Sequence, residues 1–179
     1  MILVKKFTKF WLLGFLMATL LEKAATTYKR LIVTRSESFN YHNSYTPDKA
    51  HDRDHNTWYS VKDGEVAGNF LKLYLSETYS IGLVIMVSRG MSSAKMVERM
   101  VNTEVRVYST EGEETELASC GTITGLNPGD INTIEGRTYS LNCDGAIGDM
   151  LYLTDLDYTE NVGHNIAEVE IYGTGFVLD

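Results

Sequence analysis

The sequence predicts an all-β domain, a sandwich or barrel of short strands, and three observations point there. Past residue 25 no long stretch carries apolar residues at helical spacing. Short alternating or continuous apolar runs recur instead. Turn-forming residue pairs separate those runs. The composition agrees, with eleven Tyr and fifteen Gly against two Pro.

Taken in order, Leu31–Thr34 is the first run. Phe70–Leu75 alternates, with Phe70, Lys72 and Tyr74 on one face and Leu71, Leu73 and Leu75 on the other. Ile81–Val87 is continuously apolar and rich in β-branched residues, as in a central strand. Glu104–Tyr108 alternates again, and Tyr139–Asn142, Met150–Leu153 and Glu168–Tyr172 follow. Asp63-Gly64, Glu111-Gly112, Asn127-Pro128-Gly129, Glu135-Gly136 and Asp144-Gly145 supply the turns, because Gly, Asn and Asp tolerate positive φ. Ser92–Val101 holds at most one helical turn.

The length of 179 residues suits one domain, and 44% hydrophobic with 22% charged residues suits a buried core. Lys5, Lys6 and Lys9 precede the apolar run Phe10–Leu21, which is too short for the ~20 residues of a membrane span and fits a signal peptide. Residues 1–25 are therefore expected to be a signal peptide and 26–179 the domain, with an uncleaved anchor or a cytosolic start as alternatives. Removing that segment takes away four Lys and one Glu and moves the net charge from −8 to −11. Such a surface repels phosphate backbones and anionic lipid heads, so nucleic acid and acidic membranes are poor partners. Secretion implies an oxidising compartment, where Cys120 and Cys143 are expected to pair; two buried free thiols are the alternative.

Enzyme signatures are absent from the sequence: there is no Gly-x-Ser-x-Gly elbow, His-Glu-x-x-His, P-loop or dinucleotide fingerprint. The four histidines are His42, His51, His55 and His164. His51 and His55 neighbour Asp52 and Asp54 and read as solvated loop residues, with hydrolytic or metal-binding residues as the alternative. A non-catalytic domain is expected. The segment Asp52–Asn56 is the densest cluster of hard oxygen donors, the chemistry calcium prefers, with a merely polar loop as the alternative. It is not an EF-hand, since Thr57 stands where that loop needs Gly and no amphipathic helices flank it. Arg89-Gly90 follows the run Ile81–Val87, and Arg99 comes ten residues later. Guanidinium forks at strand ends suit hydroxyl-rich or anionic ligands, or are a solvated edge.

Together these motifs resemble a family. Ala50-x-Asp52-x-Asp54-x-x-Thr57-Trp58-x-Ser60 followed by Phe70–Leu75, and the closing Ile166–Gly173, are similar to the discoidin-like jelly rolls of the galactose-binding-like fold. Arg89-Gly90, the stretch Glu98–Val107, and Cys120 with Cys143 ahead of Asp144-Gly145 resemble the fucose-binding F-type lectins. The likeness covers roughly residues 28–174 and implies a β-sandwich jelly roll. It implies calcium bound through the Lys49 carbonyl, Asp52, Asp54, Ser60, the Ala167 carbonyl and Glu168. It also implies a sugar site of one His and two Arg. The arginine positions match Arg89 and Arg99; the histidine position falls at Lys62, and Met91 stands where the family has Asp. The function implied is secreted, fucose-type carbohydrate binding with structural calcium. The alternative is an interaction or structural module that keeps the scaffold without the sugar site. Glycans are the implied partners, membrane contact would run only through them, and a homo-oligomer is compatible with either reading.

Overall fold

Two strands, each about twenty residues long, organise the molecule. In the computed structural model, which describes residues 27–61, 69–90, 99–125, 131–133, 136–155 and 165–175, β4 spans Phe70–Ser88 and β8 spans Gly136–Asp155. Around them lie β1 (Lys29–Arg30), β2 (Val33–Ser38), a 3₁₀ turn (Pro47–Ala50), β3 (Tyr59–Ser60), β5 (Thr103–Ser109), β6 (Thr115–Thr122), β7 (Ile131–Thr133) and β9 (Asn165–Gly175). The signal-like segment 1–25, Lys62, the Asp63-Gly64 and Asn127–Gly129 turns and most of Ser92–Val101 lie outside the described residues.

The register divides each long strand in two. The first half of β4, Phe70–Tyr74, pairs with Met150–Thr154 of β8, while its second half pairs with Thr138–Gly148. β2 lies beside the first half, and β5 and β6 extend the sheet beyond β8. β9 lies beside the second half of β4, carrying β1 and β3, and β7 borders β8. All these pairings are antiparallel, and the two halves form the two layers of a jelly-roll sandwich.

Alternation decides which side chains fill the space between the layers. Leu71, Leu73, Val105, Val107, Leu151 and Leu153 are buried from one layer, and Ile81, Val84, Met86, Tyr139 and Ile171 from the other. They form one core cluster, and each such side chain contributes about 1.5–3 kcal/mol on burial. Cys120 of β6 and Cys143 of β8 are joined by a disulfide, their Cα atoms 4.2 Å apart.

The runs Phe70–Leu75 and Ile81–Val87 are one strand rather than two, as are Tyr139–Asn142 and Met150–Leu153. The Asp144-Gly145 signal explains the second merger. Both residues have positive φ (52° and 78°), but they form a bulge within β8 and not a hairpin: Ile81 faces Ala146 while Leu83 faces Asn142. Asn142 holds the bulge, its Nδ2 donating to Asp144 Oδ1 at 2.6 Å. The hairpin signal at Glu111-Gly112 does connect β5 to β6, a strand that buries only Cys120 and so left no apolar pattern.

Candidate functional site

The first residues of β9 bring two distant strands together. β3 pairs with β9 through Tyr59–Ile166 and Ser60–Asn165, while β4 ends on the other side of β9 with Ser88 opposite Ile166. The Arg89 amide then donates to the Asn165 carbonyl at 3.0 Å. Ser88 is fully buried, and its hydroxyl accepts the Arg137 amide at 2.9 Å. Gly136 packs on the same turn: a Cβ there would lie 2.1 Å from the Ser88 carbonyl, and its φ of 139° already excludes most side chains. The backbone at Arg89 is thus held from two sides.

Trp58, just before β3, receives the side chain of Arg89. The guanidinium carbon lies 3.6 Å from the indole centroid. Tyr45 stacks on the same indole with 4.7 Å between centroids and 25° between planes, and His42 follows Tyr45 at 4.8 Å. A guanidinium so close leaves no room for a ring on its face, so Arg89 and Tyr45 cover opposite faces of Trp58. Burial lowers the pKa of Arg89 from the usual arginine value; Tyr45 opposes that shift, and the nearby charge of Arg99 adds to it. Among the described residues no carboxylate pairs with Arg89 or Arg99, whereas Arg30, Arg35 and Arg106 each bind one. Trp58 Nε1 is buried without a hydrogen-bond partner.

Of the expected sugar residues, Arg89 and Arg99 come within electrostatic reach of each other, while Lys62 lies outside the described residues. Sequence reasoning missed Trp58, Tyr45 and His42. Trp58 stood inside the quoted loop motif and could have been singled out as an aromatic beside two arginines. Tyr45 and His42 carried no signal.

The oxygen-rich loop lies along the same strand. The Arg53 amide donates to Glu168 Oε2 at 2.8 Å, tying residues 115 apart in sequence. Arg53 has φ 66°, a left-handed conformation that favours Gly. Thr57 Oγ1 donates to Asp52 Oδ2 at 2.7 Å and to the Asp54 carbonyl at 3.1 Å. Asp54 is exposed, and amide bonds from Asn56 lower its pKa. Lys49 Nζ lies 3.3 Å from Asp52 Oδ2. On β9 the register shifts so that Val87 faces Glu168 and Ser88 faces Ile166, leaving Ala167 as a bulged residue out of step with β4.

These groups fit calcium chemistry in donor type: carboxylates of Asp52, Asp54 and Glu168, carbonyls of Lys49 and Ala167, and a hydroxyl. Thr57 brings a hydroxyl to Asp52 in this loop, and the expected Ser60 lies at the end of β3. Ser60 Oγ donates to the Val61 carbonyl at 3.2 Å, and its carbonyl accepts the His42 amide at 3.0 Å. Among the described residues no three His, Cys, Asp or Glu side chains gather as a metal group, so carbonyls and Thr57 would have to complete any shell. Calcium bound here would neutralise the acidic loop and cross-link it to the last strand.

No family model matches the chain, and no curated protein matches it. Solved structures do. A Streptococcus pneumoniae fucose-binding module superposes with a TM-score of 0.64 at 17% identity, covering 82% of this chain and 99% of that one. The family 32 carbohydrate-binding module of C. perfringens NanJ, solved with galactose, gives 0.59 at 15% identity over 77% and 92%. The lectin domain of lectinolysin, solved with Lewis b antigen, gives 0.62 at 13% identity over 79% and 93%. The chain therefore has the galactose-binding-like jelly-roll fold, and these neighbours are carbohydrate-binding modules and lectin domains.

Proposed function

We propose that this chain is a secreted saccharide-recognition domain, non-catalytic and stiffened by calcium at the Asp52–Thr57 loop and Glu168. The observation that carries the reading is Arg89 laid over Trp58 and backed by Tyr45. An arginine fork held by stacking, with its N–H groups uncommitted to any carboxylate among the described residues, can donate to two oxygens of a pyranose at once. Named neighbours that bind fucose, galactose and Lewis b on this fold support a glycan ligand, with fucose-type sugars first to be tried. The disulfide and the signal-like N-terminus support export.

The test is a glycan array on the mature domain, followed by titration of the best hit against wild type and Arg89→Ala. Binding lost at least tenfold in Arg89→Ala supports the site. If wild type binds no glycan, the saccharide reading fails and the non-catalytic interaction module takes its place.

A further inference from the structure

We infer that the chain carries a second saccharide site, a groove between β2 and the 3₁₀ turn that takes the hydroxyls of a pyranose. This groove shares no side chain with the Arg89 stack, and it extends the saccharide reading above to a second place on the molecule.

A cavity of about 500 Å³ runs along β2, within the range of about 300–1,000 Å³ that small-ligand sites occupy. Every residue from Thr34 to Ser38 lines it. Successive strand residues point to opposite faces, so a cavity that touches all of them follows the backbone edge of the strand. Among the described residues β2 pairs with β4 alone, which leaves that edge open. The opposite wall is Tyr41 and the turn from Thr46 to Asp48, and His51 Nε2 reaches across to the Ser36 hydroxyl at 3.1 Å. One short loop separates this groove from the Arg89 stack. Tyr41 and Thr46 line the groove, while His42 and Tyr45 between them belong to the stack.

The chemistry of the groove matches sugar hydroxyls. The Arg35 guanidinium carbon lies 3.9 Å from the Tyr74 ring centroid, as Arg89 lies over Trp58. Arg35 Nη1 sits 2.8 Å from Glu37 Oε1, and the other Glu37 oxygen accepts the Tyr74 hydroxyl at 2.9 Å. A donor fork and a carboxylate therefore stand side by side, both held by one tyrosine. The guanidinium keeps further N–H groups and each carboxylate oxygen keeps a lone pair. A sugar hydroxyl both donates and accepts, so two neighbouring hydroxyls of a pyranose satisfy such a pair together. Tyr41 adds an exposed aromatic ring, which can cover the apolar side of the sugar. The Arg35 and Glu37 side chains are 60% and 44% exposed. Water weakens charged hydrogen bonds at such positions, so the groove is the weaker of the two sites.

The experiment follows backbone amides by NMR while methyl fucoside, methyl galactoside and methyl glucoside are added in turn, at millimolar concentration, to the calcium-supplemented mature domain. Amides from Thr34 to Ser38 and of Tyr41 and Asp48 are expected to shift with at least one sugar, along a binding curve separate from that of the amides around Arg89. Glu37→Gln and Tyr41→Ala should each raise the Kd read at the groove several-fold and leave the Arg89 curve unchanged; Arg89→Ala should do the reverse. Melting curves check that each variant folds, and if one does not, the other decides. Shifts around Arg89 with none along β2 overturn the second site and leave the saccharide reading standing. Shifts along β2 with none around Arg89 support the groove and overturn the Arg89 site. Shifts along β2 that neither Glu37→Gln nor Tyr41→Ala weakens place the sugar elsewhere and overturn this inference. No shift with any sugar overturns both.

Discussion

Arg30 and Glu168 meet across 138 positions of sequence: the guanidinium of β1 lies 2.6 Å from a carboxylate oxygen of β9. The other oxygen accepts the Arg53 amide, and a second Arg30 nitrogen reaches Glu170 at 2.8 Å. Glu168 is fully buried, and burial raises its pKa while Arg30 opposes the shift. The first strand, the acidic loop and the last strand therefore converge on one carboxylate. Removing one partner of such a pair leaves the other charge buried and uncompensated. Arg30→Met is expected to cost about 3 kcal/mol in urea unfolding with EDTA present. An unchanged midpoint would show that Glu168 needs no cation.

Calcium is expected to act on the same carboxylate. Because the metal would bind only the folded chain, it stabilises by about 2.7 kcal/mol at a concentration a hundred times its Kd. The thermal midpoint should rise between EDTA and millimolar calcium, and Asp52→Ala should abolish the rise. The deficit of Arg30→Met should narrow in calcium, because a second cation then faces Glu168. Identical midpoints with and without calcium would leave the loop as a polar connection.

Arg89→Ala should weaken saccharide binding at least tenfold while moving the thermal midpoint little, since it breaks no ion pair among the described residues. Trp58→Ala should weaken binding to a similar degree and also lower stability by about 2 kcal/mol, because Tyr45 loses its stacking partner. Parallel melting curves and titrations separate the two effects. Full binding by Trp58→Ala would mean that Arg89 needs no ring to hold it.

The Cys120–Cys143 disulfide closes a loop of 23 residues. In the chain-entropy model this contributes about 3 kcal/mol. Intact mass with and without reductant checks the bond, and urea unfolding of Cys120→Ser/Cys143→Ser checks the energy. Two alkylatable thiols in unreduced secreted protein would rule the pairing out.

Tyr59 should remain protonated as other tyrosines ionise. It is fully buried, and burial raises its pKa above the usual value of 10, despite bonds to Ser38 and Asn69 that act the other way. The folded chain thus holds this proton more tightly than the unfolded one. Its contribution to stability is complete below pH 10 and is lost as pH rises above that value. Urea unfolding from pH 8 to 11 should show stability falling more steeply above pH 10 in wild type than in Tyr59→Phe. Equal slopes would mean that Tyr59 titrates normally.

How much was legible in advance differs by element. Alternation in Phe70–Leu75 and Glu104–Tyr108 determined which faces are buried, because a strand has a period of two whatever surrounds it. It did not reveal that β4 and β8 each run through both layers, since a bend and a bulge leave the local pattern of each half unchanged. The oxygen-rich loop was visible as residue types, but its internal contacts were not: only the structure shows that Thr57 donates to Asp52 and that Ser60 pairs with Asn165. Arg89 stood out by its place after a strand. Its stack on Trp58 and Tyr45 did not, because no local rule connects those three positions.

Read alone, the sequence carries the all-β class, an even pair of cysteines, and the residue types of an oxygen-rich loop and an arginine-bearing strand end. Those features depend on local periodicity and side-chain chemistry. Tertiary structure alone decided that Arg30 and Arg53 close on Glu168, and that Trp58 and Arg89 meet beside Asn165. Both contacts arise because β9 is flanked by strands from distant parts of the chain, and long-range antiparallel pairing sets distances that spacing along the sequence does not contain.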